Sequence, residues 1–307
     1  MRPSIARQNQ RLAFTERFTD SNIWRIENLE ASRDGRRVSP VKLIASSRED
    51  HSPQFSPDGG RIVFVSNRSG SGEIWRCDSN GSNLVQLTNF GGKGAGTPRW
   101  SPDGRQIAFD SRPFGAGDIF VMSAEGGSAR RLTTQPSHDV MASWSRDGRW
   151  IYFCSDRSGN YQTWKAPAEG GQAIQVTRKG GFEAFESVDG SFLYYTKGRM
   201  PGIWRVALKE GAPIGEETMV PQLREAGLWR YWALTKEGVF FLPEEHTSAY
   251  TVMFFDFHIG RVTPVATLDR HPVEGPPGLD VSQDGRWILY TQVDHRISNI
   301  MLVEGFR

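Results

Sequence analysis

The sequence predicts an all-β chain built as a propeller of four-stranded antiparallel blades. Three observations carry this: a turn string recurs along the chain, two further marks keep phase with it, and the composition suits short strands and many turns. The string is Ser56-Pro-Asp-Gly59. It returns at Ser101–Gly104 and, with substitutions, at Ser145-Arg-Asp-Gly148, Ser187-Val-Asp-Gly190, Thr235-Lys-Glu-Gly238 and Ser282-Gln-Asp-Gly285. Its acidic anchors, Asp58, Asp103, Asp147, Asp189, Glu237 and Asp284, fall 42 to 48 residues apart. Gln8 aligns with them near the start, because Arg11-Leu-Ala-Phe14 matches Arg61-Ile-Val-Phe64. A period of that size marks propeller blades.

Each unit reads as four strands. The innermost is short, as in Pro53-Gln-Phe55 and Pro98-Arg-Trp100. The Ser-Pro-Asp-Gly turn follows, with proline presetting φ at the corner and glycine taking the left-handed position. The second strand alternates, as in Arg61-Ile-Val-Phe-Val65 and Gln106-Ile-Ala-Phe109. Asn67-Arg-Ser-Gly70 or Asp156-Arg-Ser-Gly159 then turns the chain into a third strand. That strand is marked by Trp24, Trp75, Phe120, Trp164, Trp204, Phe254 or Met301, preceded in most units by a β-branched residue such as Ile74 or Thr163. Glycine turns at Asn80-Gly81, Gly126-Gly127 and Gly170-Gly171 lead to an outer strand, marked by Leu43, Leu87-Thr88, Leu132-Thr133, Val176-Thr177, Val220 and Leu268. One such sheet cannot bury both faces alone, so blades must stack, and the aromatic series is expected between them.

Seven sets of marks predict seven blades in one domain spanning residues 1–307, with six blades as the alternative. The last outer strand should begin roughly 29 residues after Asp284, past Arg307. The last blade is therefore expected to have three strands and an exposed edge at Asn299–Val303, a place where a second chain could pair to form a dimer.

Ser56-Pro-Asp-Gly-Gly-Arg-Ile-Val-Phe64, Ser101-Pro-Asp-Gly-Arg-Gln-Ile-Ala-Phe109 and Ser145-Arg-Asp-Gly-Arg-Trp-Ile-Tyr-Phe153 resemble the TolB-like propeller repeat, a relative of the WD repeat. The Gly-His…Trp-Asp signature of ordinary WD repeats does not recur, and the extra residue of the sialidase Asp-box is missing. The stretch from Arg48 to Arg307 also resembles the C-terminal sensor propellers of soil-bacterial winged-helix or kinase proteins. The resemblance implies a bacterial recognition module for a protein, peptide or small-molecule ligand.

Composition narrows the partners. Lys and Arg number 37 against 35 Asp and Glu, a net charge of +2. That balance gives no general attraction to nucleic acid. No apolar run reaches the ~18 residues of a membrane span, and Met1–Gln10 lacks the apolar core of a signal peptide. The expected location is cytoplasmic, or within a larger exported protein. Two cysteines, Cys77 and Cys154, cannot form a disulfide framework or a cysteine zinc site; packing is their expected role. No Gly-x-Ser-x-Gly elbow, phosphate loop or His-Glu-x-x-His helix occurs. Gly91-Gly-Lys-Gly-Ala-Gly96 reads as a loop between blades.

Function in propellers gathers where loops converge on the central channel. The loops before the inner strands carry Asp50-His51, His138-Asp139 and Glu183. Imidazole with carboxylate suits zinc or manganese, and carboxylates alone suit calcium. These five are the candidate ligands for one divalent metal. His51, His138 and Asp139 are the candidate catalytic groups of a metal-dependent hydrolase acting on a lactone, aryl ester or phosphotriester, the alternative to a recognition module. Glu49, Arg99, Trp229 and Tyr231 occupy the same loops and are candidate ligand contacts. Arg68, Arg112 and Arg157 recur at one repeat position and are expected to pair with nearby carboxylates or carbonyls.

Overall fold

The computed structural model describes the chain except residues 1–3, 7–10, 28–38, 199, 227–229, 245–249, 269, 271, 273–275, 277 and 305–307. The chain opens with β1 (Ser4–Ala6), β2 (Arg11–Glu27) and β3 (Val41–Ile44). Five four-stranded antiparallel sheets then follow in sequence. The first holds β4 (Asp50–Phe55), β5 (Arg61–Ser66), β6 (Glu73–Asp78) and β7 (Val85–Gln86). The second holds β8 (Ala95–Trp100), β9 (Gln106–Phe114), β10 (Ala116–Ser123) and β11 (Arg130–Arg131). In the third are β12 (Asp139–Trp144), β13 (Trp150–Ser155), β14 (Gln162–Pro167) and β15 (Ile174–Gln175). The fourth contains β16 (Ala184–Glu186), β17 (Phe192–Lys197), β18 (Met200–Lys209) and β19 (Ala212–Met219). The fifth contains β20 (Trp232–Leu234), β21 (Gly238–Phe241), β22 (Tyr250–Asp256) and β23 (Val262–Leu268). β24 (Leu279–Val281) and β25 (Trp287–Glu304) complete the list.

The turn string does the work its residues suggest. In five units the serine hydroxyl donates to the aspartate two places on: Ser56–Asp58 2.5 Å, Ser101–Asp103 2.6 Å, Ser145–Asp147 2.6 Å, Ser187–Asp189 2.6 Å and Ser282–Asp284 2.5 Å. The same hydroxyl accepts the N–H five residues on, as from Arg61 at 2.9 Å and Trp287 at 2.9 Å. The glycine sits at φ 69 to 71° in all five, from Gly148 to Gly190. A side chain there would strain the backbone. The fifth sheet uses Thr235 instead, whose hydroxyl accepts from Gly238 N–H at 3.2 Å.

Among the described residues the strands form six sheets, so the expectation of seven blades is corrected to the alternative count. The sixth is assembled from both ends of the sequence. β24 pairs β25, β25 pairs β2, and β2 pairs β3, while β1 lies along the start of β2. Hence the first and last sets of marks are halves of one blade. This also overturns the three-stranded last blade: Asn299–Val303 pairs with residues 12–16 of the same chain.

Among the described residues apolar clusters sit between all successive sheets and close the ring. Val63, Val65 and Ile74 meet Trp100, Ile107 and Phe109 between the first and second. The last joint brings Ile23 and Leu289 against Phe55, Ile62 and Phe64. The aromatic series packs at the joints between sheets, as expected. The β-branched residues Ile23, Ile74, Ile119, Thr163 and Ile203 are fully buried. Of the aromatics after them, Trp24, Trp75, Trp164 and Trp204 are half-buried and lie under cations: Lys42, Arg68, Arg157 and Lys197, respectively. A strand puts adjacent side chains on opposite faces, so the two of each pair enter the joints on opposite sides of their sheet, as Ile74 packs toward the second sheet and Trp75 toward the closing one.

Candidate functional site at the channel

Each inner strand begins at one end of the channel, called the top, and ends at the Ser-x-Asp-Gly turn at the bottom. The top holds the residues singled out as metal ligands. Asp50 is fully buried and its Oδ1 takes Arg68 Nη2 at 2.8 Å. Asp139 is also fully buried and its Oδ2 takes Arg157 Nη2 at 2.7 Å. Each guanidinium donates through Nε to the serine two residues earlier, Ser66 at 2.8 Å and Ser155 at 2.9 Å, and lies over two aromatic rings. Arg112 repeats the theme with Asp110 at 3.4 Å. Arg68 and Arg157 thus neutralise two of the carboxylates singled out as ligands, Asp50 and Asp139.

His51 Nδ1 shares a hydrogen bond with Ser52 Oγ at 2.9 Å. Burial, with the nearby Arg230 charge adding to it, pushes the imidazole down to about 4, so it is neutral at pH 7. His138 is exposed; its Nδ1 accepts the Gly117 N–H at 3.3 Å and its own N–H reaches Asp156 at 2.8 Å. Glu183 is buried against Arg99, Oε1 to Nη2 at 3.0 Å. Burial raises its pKa, opposed by Arg99 and Arg230. Among the described residues no three His, Cys, Asp or Glu side chains are grouped to hold a metal ion. The five candidate ligands are held by separate partners: Asp50, His51 and Asp139 by groups of their own blades, His138 by Gly117 and Asp156, and Glu183 by Arg99 of the second sheet.

Of the candidate ligand contacts, Arg99 joins Glu183 across sheets. Glu49 is half-buried beside Asn67, whose Nδ2 donates to it at 3.3 Å. Tyr231 is buried and donates its hydroxyl to the Thr291 carbonyl at 2.9 Å, a joint between the fifth and closing sheets. Trp229 lies outside the described residues.

The inner strands do not run straight from top to bottom. Ser52, Thr97 and Met141 hold φ of 55, 47 and 60°, and the pairing register slips at each. Left-handed backbone at non-glycine residues costs about 1–3 kcal/mol apiece and collects at functional sites, and bulges re-aim the side chains that follow. Below the bulges, Gln54, Arg99, Ser143, Phe185 and Asp280 line a cavity of about 530 Å³ at the bottom of the channel. Trp100, Trp144 and Trp232 contribute to its wall, with Arg146, Glu186 and Lys236 toward the turns.

The wall is pinned from sheet to sheet. Trp100 Nε1 donates to the Gln54 carbonyl at 3.2 Å and Trp144 Nε1 to the Arg99 carbonyl at 3.1 Å. Ser143 Oγ reaches the Ala184 carbonyl at 2.5 Å. Asp280 accepts the Phe55 N–H at 2.7 Å. Burial pushes its carboxyl up to about 7, against the pull of that N–H and of Arg99. Burial likewise raises Glu186. Rings, a guanidinium and a carboxylate that changes charge near neutrality can hold an amphipathic ligand by its apolar body and its polar groups.

Of the candidate site residues among the described residues, Arg99 lines this cavity and the others are not in its lining. The signal was present: Gln54, Arg99, Ser143, Phe185 and Asp280 each stand four residues before an anchor aspartate.

Comparison with known proteins agrees with this architecture. Residues 83–217 match the family model of the TolB beta propeller domain. The structure of TolB from Agrobacterium tumefaciens superposes with a TM-score of 0.71 at 21% identity, over 90% of this chain and 99% of that one. TolB from Acinetobacter baumannii gives 0.65 at 19% identity, over 84% and 66%. This chain has a β-propeller fold like that of TolB. A protein TolB homolog of Chlorobium chlorochromatii (strain CaD3) is 62% identical over 32 residues, a stretch spanning 10% of this chain and 7% of that relative. No helix among the described residues of the TolB-like propeller is long and apolar enough to cross a membrane.

Proposed function

We propose that this TolB-like propeller is a recognition module. Its ligand, a protein segment or a small molecule, binds in the bottom cavity. The observation that carries the reading is the cavity itself: about 530 Å³, walled by Trp100, Trp144, Phe185 and Trp232, with Arg99 and Asp280 in its lining. Ligand sites are concave and largely apolar, with a few convergent polar groups. The hydrolase alternative has no comparable support, since Asp50 and Asp139 are held by Arg68 and Arg157.

Peptides selected from a random display library on the whole chain test this. Val188 lines the cavity and is exposed, so Val188→Trp narrows the mouth without touching the joints. Selected peptides should lose affinity for Val188→Trp at least about tenfold. They should keep it for Phe114→Ser, a change outside the cavity lining. Binders indifferent to Val188→Trp but lost on Phe114→Ser would place recognition elsewhere and defeat the reading.

A further inference from the structure

Beyond Asp294, β25 leaves the body of the closing sheet. Residues 295–304 pair on one side with residues 11–20 of β2, and β1 extends this ribbon to three strands. The other side of 295–304 carries no strand among the described residues. Half of the N–H and C=O groups of a strand face each side, so this edge offers a row of unpaired donors and acceptors.

The side chains along that edge are not the usual protection. All ten residues from His295 to Glu304 are exposed. Ile300 is 82% exposed and Leu302 57%. The register sets Leu12 opposite Val303 and Phe14 opposite Met301. These four share one face with Ile297, which is 48% exposed. An edge of this kind without proline or lysine is a template for pairing.

We propose that the ribbon joins a second copy of this chain, β25 against β25 in antiparallel register about Ile300. The charges select the register. In a two-fold antiparallel pair centred on Ile300, residue 296 stands opposite 304, so Arg296 of each copy faces Glu304 of the other. Ile297 then faces Val303, and Asn299 faces Met301. Within residues 295–304 every other antiparallel register leaves Arg296 opposite a residue that is not acidic, its own copy in one register, or opposite nothing, and an in-register parallel pair sets like charges together. Opposed charges and apolar pairs across strands stabilise; like charges destabilise. Glu304 keeps Arg11 at 2.9 Å within its own ribbon, leaving its outer side for the second arginine. A nine-residue edge pair is small against the ~1,200–2,000 Å² of a standard interface, so dimerisation depends on concentration.

Sedimentation velocity on the full chain, from about 1 to 200 µM, reads this directly, as those concentrations bracket a micromolar dissociation constant. The expected result is a monomer–dimer equilibrium. R296E and I300K should each weaken it at least about tenfold, while R296K keeps it; circular dichroism confirms that each variant is folded. I300C should cross-link to itself under mild oxidation, because opposed residues of an antiparallel pair lie within disulfide reach. I259C, at another exposed position, should not. A monomer at every concentration, or a dimer that ignores both R296E and I300K and leaves I300C uncross-linked, overturns the proposal. In that event the edge serves a different protein or none.

Discussion

Asp280 shows how much one side chain in the channel can carry. Its carboxyl is held near 7 by burial, where an ordinary aspartate lies at 3.8. The folded state therefore binds the proton more tightly than the unfolded chain. Between about pH 4 and 7 only the folded form is protonated here, so this group makes stability fall as pH rises through that window; above 7 its effect is constant. Asp280→Asn keeps an oxygen for the Phe55 N–H and removes the charge. The variant should melt higher than the parent at pH 8, by a few degrees, and the gap should close by pH 5. Thermal unfolding at the two pH values checks it; an equal gap at both would mean that the carboxyl is not titrating there. The sequence showed Asp280 only as a polar residue in a short strand. Its depth comes from neighbouring sheets, which no local pattern reports. The same holds for Asp50 and Asp139. Their spacing from histidine suggested ligands, but Arg68 and Arg157, each 18 residues later, claim them. The recurrence of those arginines was readable in the sequence, and it was the better guide.

At the scale of the element, turns were the most legible feature, because their backbone demands fall on few residue types. Ser-x-Asp-Gly announced the inner hairpins, and the structure returns the same hydrogen bonds five times. The bulges in β4, β8 and β12 were not legible. Ser52, Thr97 and Met141 carry positive φ without glycine or asparagine to advertise it. One hairpin keeps a similar misfit at the surface. Lys209 pairs with Ala212 across a two-residue loop, and Glu210 and Gly211 both have positive φ, 51 and 74°. That is the conformation asparagine-glycine fills best. Glu210 is exposed, so nothing else holds it there. Glu210→Asn should raise unfolding free energy by about 0.5–1 kcal/mol through relief of left-handed strain, measured by urea denaturation. Glu210→Val should lower it, since a β-branched residue resists that region.

The whole molecule turns on how the ring is closed. The repeat was plain in the sequence, and the fold followed from it. The count did not, because a periodic pattern cannot show that its first and last units share one sheet. In the structure no disulfide links β2 to β25 among the described residues; their joint is hydrogen bonds, apolar contact and the Arg11–Glu304 ion pair. Ile23 is the test of that joint. It is fully buried with Ile44, Phe55, Ile62, Phe64 and Leu289, between the closing sheet and the first. Ile74 holds the same place in the first sheet, fully buried against the second. If β2 is an integral third strand, Ile23→Ala and Ile74→Ala should each cost about 2–5 kcal/mol. Both variants should still unfold in one transition followed alike by fluorescence and circular dichroism, because each cluster spans two blades and loosening one exposes the next. If β2 were only laid against an already closed ring, Ile23→Ala would cost well under Ile74→Ala. An early separate phase would then appear as β2 peels from β25. Urea denaturation of the two variants side by side decides between a ring closed by its two ends and a ring with a strand appended.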